Sequence, residues 1–165
     1  MSETLFFESS QEDKTARYSE LLPQLKSLLG SETDETACLA NTAAALFECF
    51  DFLWVGFYRV QENQLVLGPF QGPIACTRIN KGKGVCGKSW ADNASIIVPD
   101  VDAFPGHIAC SSHSKSEIVI PIRDAQNVVC AVLDVDSEHL NYFDQRDLDG
   151  LQRICRLLEN HLYSV

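Results

Sequence analysis

The hydrophobic period of this chain changes twice, and no other feature restricts its fold as strongly. From Asp13 to Leu29 apolar residues recur at helical spacing, with Tyr18, Leu21, Leu22, Leu25, Leu28 and Leu29 on one stripe. Gly30 ends that helix, and Ser31 to Asp34 supply caps for a second, Ala-rich helix over Glu35 to Phe50. After Asp51 the period drops to two. Trp54 to Val60 reads as a strand, Glu62-Asn63 as a turn and Gln64 to Leu67 as the returning strand. Ile74 to Ile79 alternates as a further strand, and the Gly-rich stretch Lys81 to Gly84 leads into a short helix near Val85 to Asp92. Ser95 to Val98 is a short buried strand, and Asp100 to Ser116 a long loop of the kind that usually carries function. Strands over Glu117 to Arg123 and Val128 to Asp136, joined by the turn Asp124 to Asn127, complete the sheet. The helical period then returns from Asp144 to Tyr163, with Leu148, Leu151, Ile154, Leu157 and Leu158 inward. No internal repeat, low-complexity tract or linker is evident.

Consecutive strands joined by tight turns imply an antiparallel sheet. The N- and C-terminal helices are expected on one face and ligand-binding loops on the other, an α+β fold. The length of 165 residues fits a single domain over 1–165, with residues 1–12 as a flexible N-terminal segment. Thirteen Lys and Arg against 23 Asp and Glu give a net charge of −10, so the surface repels phosphate backbones and anionic lipid. Nucleic acid and membrane are poor partners for it. The N-terminus, Met1 to Phe7, lacks the basic start and long apolar run of a secretory signal, and no apolar run approaches the roughly 20 residues of a membrane span. A cytoplasmic protein with reduced thiols is expected. Its seven cysteines, an odd number, then point to buried apolar Cys, a metal site or redox chemistry rather than a disulfide framework. Cys38 and Cys49 fall among helical apolar positions and read as core packing.

Three groups of residues could carry chemistry. Cys76, Cys86 and Cys110 lie outside the helical core positions, and Cys110 sits between His107 and His113 in the long loop, where an exposed thiol beside imidazole can ionise. Zinc would accept His107, Cys110 and His113, with Cys76 or Cys86 as the fourth ligand. With no Cys-x2-Cys knuckle in the chain that pattern is weak, and no metal is expected. Asp134 and Asp136 project from one face of their strand, and Glu117 opens the preceding one. Like charges held close raise one another's pKa, so one acid can donate a proton while another accepts from an ammonium group. Trp54 and Tyr58 share a face, with Gly56 between them leaving open space for a small pocket. His139 and His161 read as surface residues. Together the groups suggest a pocket for a small zwitterion on which redox work is done, but spacing alone does not choose the substrate.

Longer stretches carry a family resemblance. Leu67-Gly68-Pro69-Phe70-Gln71-Gly72-Pro73-Ile74-Ala75-Cys76, Gly82-Lys83-Gly84-Val85-Cys86-Gly87, Gly106-His107-Ile108-Ala109-Cys110, Ser116-Glu117-Ile118-Val119-Ile120-Pro121 and Leu133-Asp134-Val135-Asp136-Ser137 occur in this order. In this the chain closely resembles the free methionine-(R)-sulfoxide reductases, which are GAF-domain enzymes. The resemblance implies reduction of free L-methionine-(R)-S-oxide, with Cys110 as nucleophile, Cys76 resolving it by disulfide formation and Cys86 as a secondary or alternative resolving thiol. It implies a substrate pocket of Trp54, Tyr58, Glu117, Asp134 and Asp136. Glu117 would be the acid, Asp134 and Asp136 would hold the α-ammonium, Trp54 would pack on the S-methyl group and Tyr58 would flank it. Thioredoxin would be the external reductant, with no bound cofactor, and a homodimer rests on the resemblance alone. Several carboxylates near Cys110 disfavour its thiolate, so His107 or backbone N–H groups are expected to offset them. Cys130, where the family commonly has glycine, would share a face with Asp134 and Asp136 and crowd the pocket or add a thiol. The alternative is a non-enzymatic GAF sensor of a small ligand or of redox state; the absence of an output domain argues against it.

Overall fold

A computed structural model describes residues 4–108 and 110–164. Helices α1 (Lys14–Leu29) and α2 (Glu35–Cys49) precede the hairpin β1 (Trp54–Gln61) and β2 (Gln64–Gln71). Then come β3 (Arg78–Asn80), α3 (Gly84–Asp92), β4 (Ile96–Val98), β5 (Ser116–Arg123), β6 (Val129–Ser137) and α4 (Gln145–Leu162). Helix starts follow the capping chemistry of the sequence. Asp13 accepts from the Ala16 N–H, Asp34 from the Ala37 N–H, and Asp144 forms a reciprocal capping box with Asp147. The β1–β2 hairpin turns on Glu62 and Asn63, both at positive φ (49° and 64°), the geometry whose twist matches paired strands.

The six strands form one antiparallel sheet in the order β3-β2-β1-β6-β5-β4. Its two faces are chemically different. Val55, Phe57, Ile118, Ile120, Leu133 and Val135 meet α1, α2 and α4 in the larger core, which also buries Cys38 and Cys49 as expected. The other face, with Trp54, Tyr58, Val119 and Val132, carries a second cluster. There the expectation of loops alone is incomplete: α3 packs across this face, with Val85, Cys86 and Trp90 buried. The helices are tied together by a buried ion pair. Lys14 Nζ lies 2.5 Å from Asp147 Oδ2, and the Tyr18 hydroxyl donates to Asp147 Oδ1 at 3.0 Å. Residues 6–9, within the segment expected to be loose, lie along α1: the Phe6 N–H donates to Gln24 and the Ser9 N–H to Glu20.

Two further expectations change. The strand expected over Ile74 to Ile79 survives only as β3, because the carbonyls of Pro73 and Cys76 accept hydrogen bonds from Trp54 Nε1 and the Tyr58 hydroxyl rather than from a neighbouring strand. Cys130 does not share the face of Asp134 and Asp136. The β5–β6 register pairs Ile122 with Ala131 but Arg123 with Val129, a bulge that leaves Cys130 the extra residue. A bulge reverses the alternation beyond it, so Val129 joins the second cluster and Cys130 packs on the helix side.

Candidate active site

Strand register brings the acids and aromatics together. Trp54 pairs with Asp136, which on its other side pairs with Glu117, so β1, β6 and β5 present these three side chains in one row. Asp134 lies two residues along, opposite Gly56. The space expected beside Gly56 is filled from within the site: a Cβ there would come 2.6 Å from Trp54 Cη2 and strike the Phe70 side chain. Glycine is therefore required so that the indole can lie flat along the strand, where it stacks between Phe70 and Tyr58 at centroid distances of 5.3 and 6.0 Å. The pocket bordered by these residues extends under α3 and the long loop and encloses about 50 Å³.

Cys110 borders the pocket and is joined to Cys76 in a disulfide, with Cα atoms 5.5 Å apart. The aromatic pair that walls the pocket also fixes one of these cysteines. Trp54 Nε1 donates to the Pro73 carbonyl at 3.1 Å, and the Tyr58 hydroxyl to the Cys76 carbonyl at 2.9 Å. Cys86 stands free and buried at the start of α3, with Sγ 4.0 Å from Glu117 Oε1.

Glu117 and Asp134 are buried and Asp136 is partly so. All three carboxyls titrate well above the ordinary range. Burial is the main cause for each, followed by the charge of Asp136 on Glu117, of Glu117 on Asp134 and of Asp134 on Asp136. The Ser114 hydroxyl, donating to Asp136 Oδ1 at 2.5 Å, opposes the rise there. Asp134 Oδ1 is buried with no hydrogen-bond partner, an open acceptor whose desolvation is uncompensated.

These shifts bear on what offsets the acids beside Cys110. His107 reaches Glu117, Nε2 to Oε2, at 3.5 Å, but burial lowers its pKa, so its cation is disfavoured at neutral pH. Burial and mutual repulsion instead raise the carboxyls' own pKa values, which favours their uncharged forms. His113 is exposed. His139 is exposed as expected, whereas His161 is half-buried, with Nε2 2.7 Å from the Glu32 carbonyl oxygen.

The remaining thiols are subdued. Burial raises the pKa of Cys38 and of Cys86, moves Cys49 to about 11 and Cys130 to about 12, and raises Cys155 further. Buried thiols of this kind are poor nucleophiles. Among the described residues, Cys86, Glu117 and Asp134 bring ligand-type atoms within 4.8 Å of one another. Burial raises the pKa of all three groups, whereas a metal would need them deprotonated.

The chain matches the GAF domain model over residues 32–162. It is 44% identical to the free methionine-R-sulfoxide reductase of Escherichia coli over 93% of both chains. A solved structure of the free methionine-R-sulfoxide reductase from Neisseria meningitidis, in complex with its substrate, superposes with a TM-score of 0.93 at 51% identity, covering 97% of this chain and 95% of that one. The chain belongs to the free methionine-R-sulfoxide reductase family of GAF domains. GAF domain-containing protein A of Dictyostelium discoideum is a further relative, 57% identical over 93% of this chain and 97% of that protein. No helix among the described residues is long and apolar enough to cross a membrane.

For a member of this family, two features of the site escape a reading of the sequence. Ser114 is one serine among several in the long loop, and only the fold sets its hydroxyl on Asp136. The second is written in the chain itself: Gly72-Pro73-Ile74-Ala75-Cys76 and Gly106-His107-Ile108-Ala109-Cys110 share the pattern Gly-x-Ile-Ala-Cys. It is too short to register as an internal repeat.

Proposed function

We propose that this protein reduces free L-methionine-(R)-S-oxide to L-methionine, with Cys110 as nucleophile, Cys76 as resolving thiol and thioredoxin as reductant. The observation that carries this reading is the Cys76–Cys110 pair beside a pocket whose wall holds carboxyls of raised pKa and the unpartnered Asp134 Oδ1. The substrate complex of a relative 51% identical supports the choice of substrate.

The Cys110 thiolate attacks the sulfoxide sulfur, and Glu117, whose carboxyl burial pushes well above the ordinary range, gives its proton to the sulfoxide oxygen. Oxygen passes to Cys110, methionine leaves, and Cys110 is a sulfenic acid. The Cys76 thiol attacks that sulfur, the S–S bond forms and water departs. Asp134 and Asp136 hold the α-ammonium, which a methionine inside a peptide lacks because its nitrogen is an amide. Trp54 offers its ring to the S-methyl group, a favourable sulfur–aromatic contact, and Tyr58 flanks it. Thiols carry both electrons throughout, so the cycle uses no bound cofactor or metal. Cys86 lies behind Glu117 as a secondary thiol; its raised pKa makes it the slower route. The free thiols beyond the pair fit a reducing cytoplasm.

Turnover of the two cysteine variants tests the cycle. Cys110→Ser is expected to abolish sulfoxide reduction, by at least about a thousand-fold for loss of a covalent nucleophile. Cys76→Ser is expected to release one methionine per enzyme and then stall with thioredoxin. Full turnover by Cys110→Ser would overturn the nucleophile assignment.

A further inference from the structure

The doubled Gly-x-Ile-Ala-Cys pattern places one isoleucine two residues before each sulfur of the disulfide. Each copy opens on a glycine at positive φ, +126° at Gly72 and +72° at Gly106. Ile74 is 88% exposed, more than any other large apolar side chain among the described residues, and Ile108 is 38% exposed. Ile108 is braced from below: a Cβ at Gly84 would stand 3.2–3.5 Å from its side-chain carbons. The disulfide is half-buried, and Ile74, Ile108 and Cys110 all border the pocket. Beside Gly84, Lys81 and Lys83 are exposed, a basic edge on a chain of net charge −10.

We infer that Ile74 and Ile108 form the docking edge for the protein dithiol that regenerates the enzyme, an inference that rests on the disulfide cycle proposed above. Both isoleucines border the substrate pocket, but Ile74 in particular leaves most of its side chain in solvent, surface that a free amino acid anchored among the carboxyls does not need. A macromolecular reductant does have a use for that surface, since it must bring a thiolate into line with an S–S bond recessed between two loops, and it can do so only by covering the surface around that bond. An apolar contact edge of this kind is where interface residues concentrate affinity, and the nearby lysines favour a partner with an acidic rim. In the step itself the partner's thiolate attacks one sulfur of the pair, the Cys76–Cys110 bond breaks, and the other sulfur leaves as a thiolate and takes up a proton. The partner's second thiol then attacks the mixed disulfide. Two electrons and two protons have moved from partner to enzyme, and the partner departs as a disulfide.

The test follows the preformed disulfide directly, by alkylation of the released thiols, with no sulfoxide present. Reduced thioredoxin and dithiothreitol are compared as reductants of the parent chain, Ile74→Ser, Ile74→Asp and Ile108→Ser. Each variant is expected to slow reduction by thioredoxin about ten-fold, the loss typical of an anchoring interface side chain, with Ile74→Asp slowest, while reduction by dithiothreitol is unchanged. Rates that fall equally with both reductants would overturn the inference, because the isoleucines would then support the disulfide rather than the partner. Rates unchanged with both would overturn it too, as would a parent disulfide that thioredoxin does not reduce. Failure of the substrate assignment would show instead as absent sulfoxide turnover with this reductant discrimination intact.

Discussion

Asp134 is held in an unfavourable place. Its Oδ1 is buried without a partner, and burial together with the Glu117 charge pushes its titration upward. A carboxyl whose folded pKa is raised contributes most stability below its unfolded value, ordinarily near 3.8, and loses it as pH rises toward the folded value. Every tenfold gain in proton affinity on folding is worth about 1.4 kcal/mol, or roughly 3–6 °C of melting temperature in a chain of this size. Asp134→Asn removes that liability. Its melting temperature is expected to gain on the parent by several degrees between pH 4 and pH 8; a constant difference across that range would contradict the electrostatic account. Under the proposed mechanism the same change also removes a partner of the substrate's ammonium. With Asp136→Asn added, KM for the free amino acid is expected to rise about 10- to 100-fold, in line with the loss of a charge-assisted hydrogen bond. Unchanged kinetics would remove the ammonium clamp. Residues that strain the fold and bind the ligand are expected to coincide at functional sites.

At the scale of elements, alternation and capping made most of the fold legible in advance. Asp13, Asp34 and Asp144 mark the helix starts, and the two-residue period of β1 and β6 put Trp54 with Tyr58, and Asp134 with Asp136, on common faces. What stayed hidden depends on long-range geometry. The non-strand path of 74–77 follows from hydrogen bonds to rings 18 and 19 residues away, and the face of Cys130 follows from a bulge that no local pattern announces. Cross-strand register, which sets Glu117 beside Asp136 and Asp136 beside Trp54, was equally out of reach. Helix packing offers a separate check. Gly150 of α4 faces the Tyr18 ring so closely that a Cβ would strike its Cγ and both Cδ atoms. Gly150→Ala is expected to destabilise by about 1–3 kcal/mol through overpacking, lowering the melting temperature by roughly 2–12 °C without altering the site on the other face. No loss of stability would mean that α4 shifts freely against α1.

As a whole, the molecule divides its labour between the faces of one sheet. The helix side holds the larger apolar core and the buried Lys14–Asp147 pair, and the opposite side holds the acids, the aromatic wall and the disulfide. Burial raises the pKa of all three carboxyls there, which eases the cost of crowding them together. The proposed selectivity for a free amino acid rests on recognition of its α-ammonium by these acids, and one assay addresses it. Reduction should be measured for free L-methionine-R-sulfoxide, its S epimer and the N-acetylated R-sulfoxide, with dithiothreitol as reductant. Turnover of the free R epimer alone is the expected result. Equal turnover of the N-acetylated compound, or none of the three by folded protein with reduced thiols, would contradict the account.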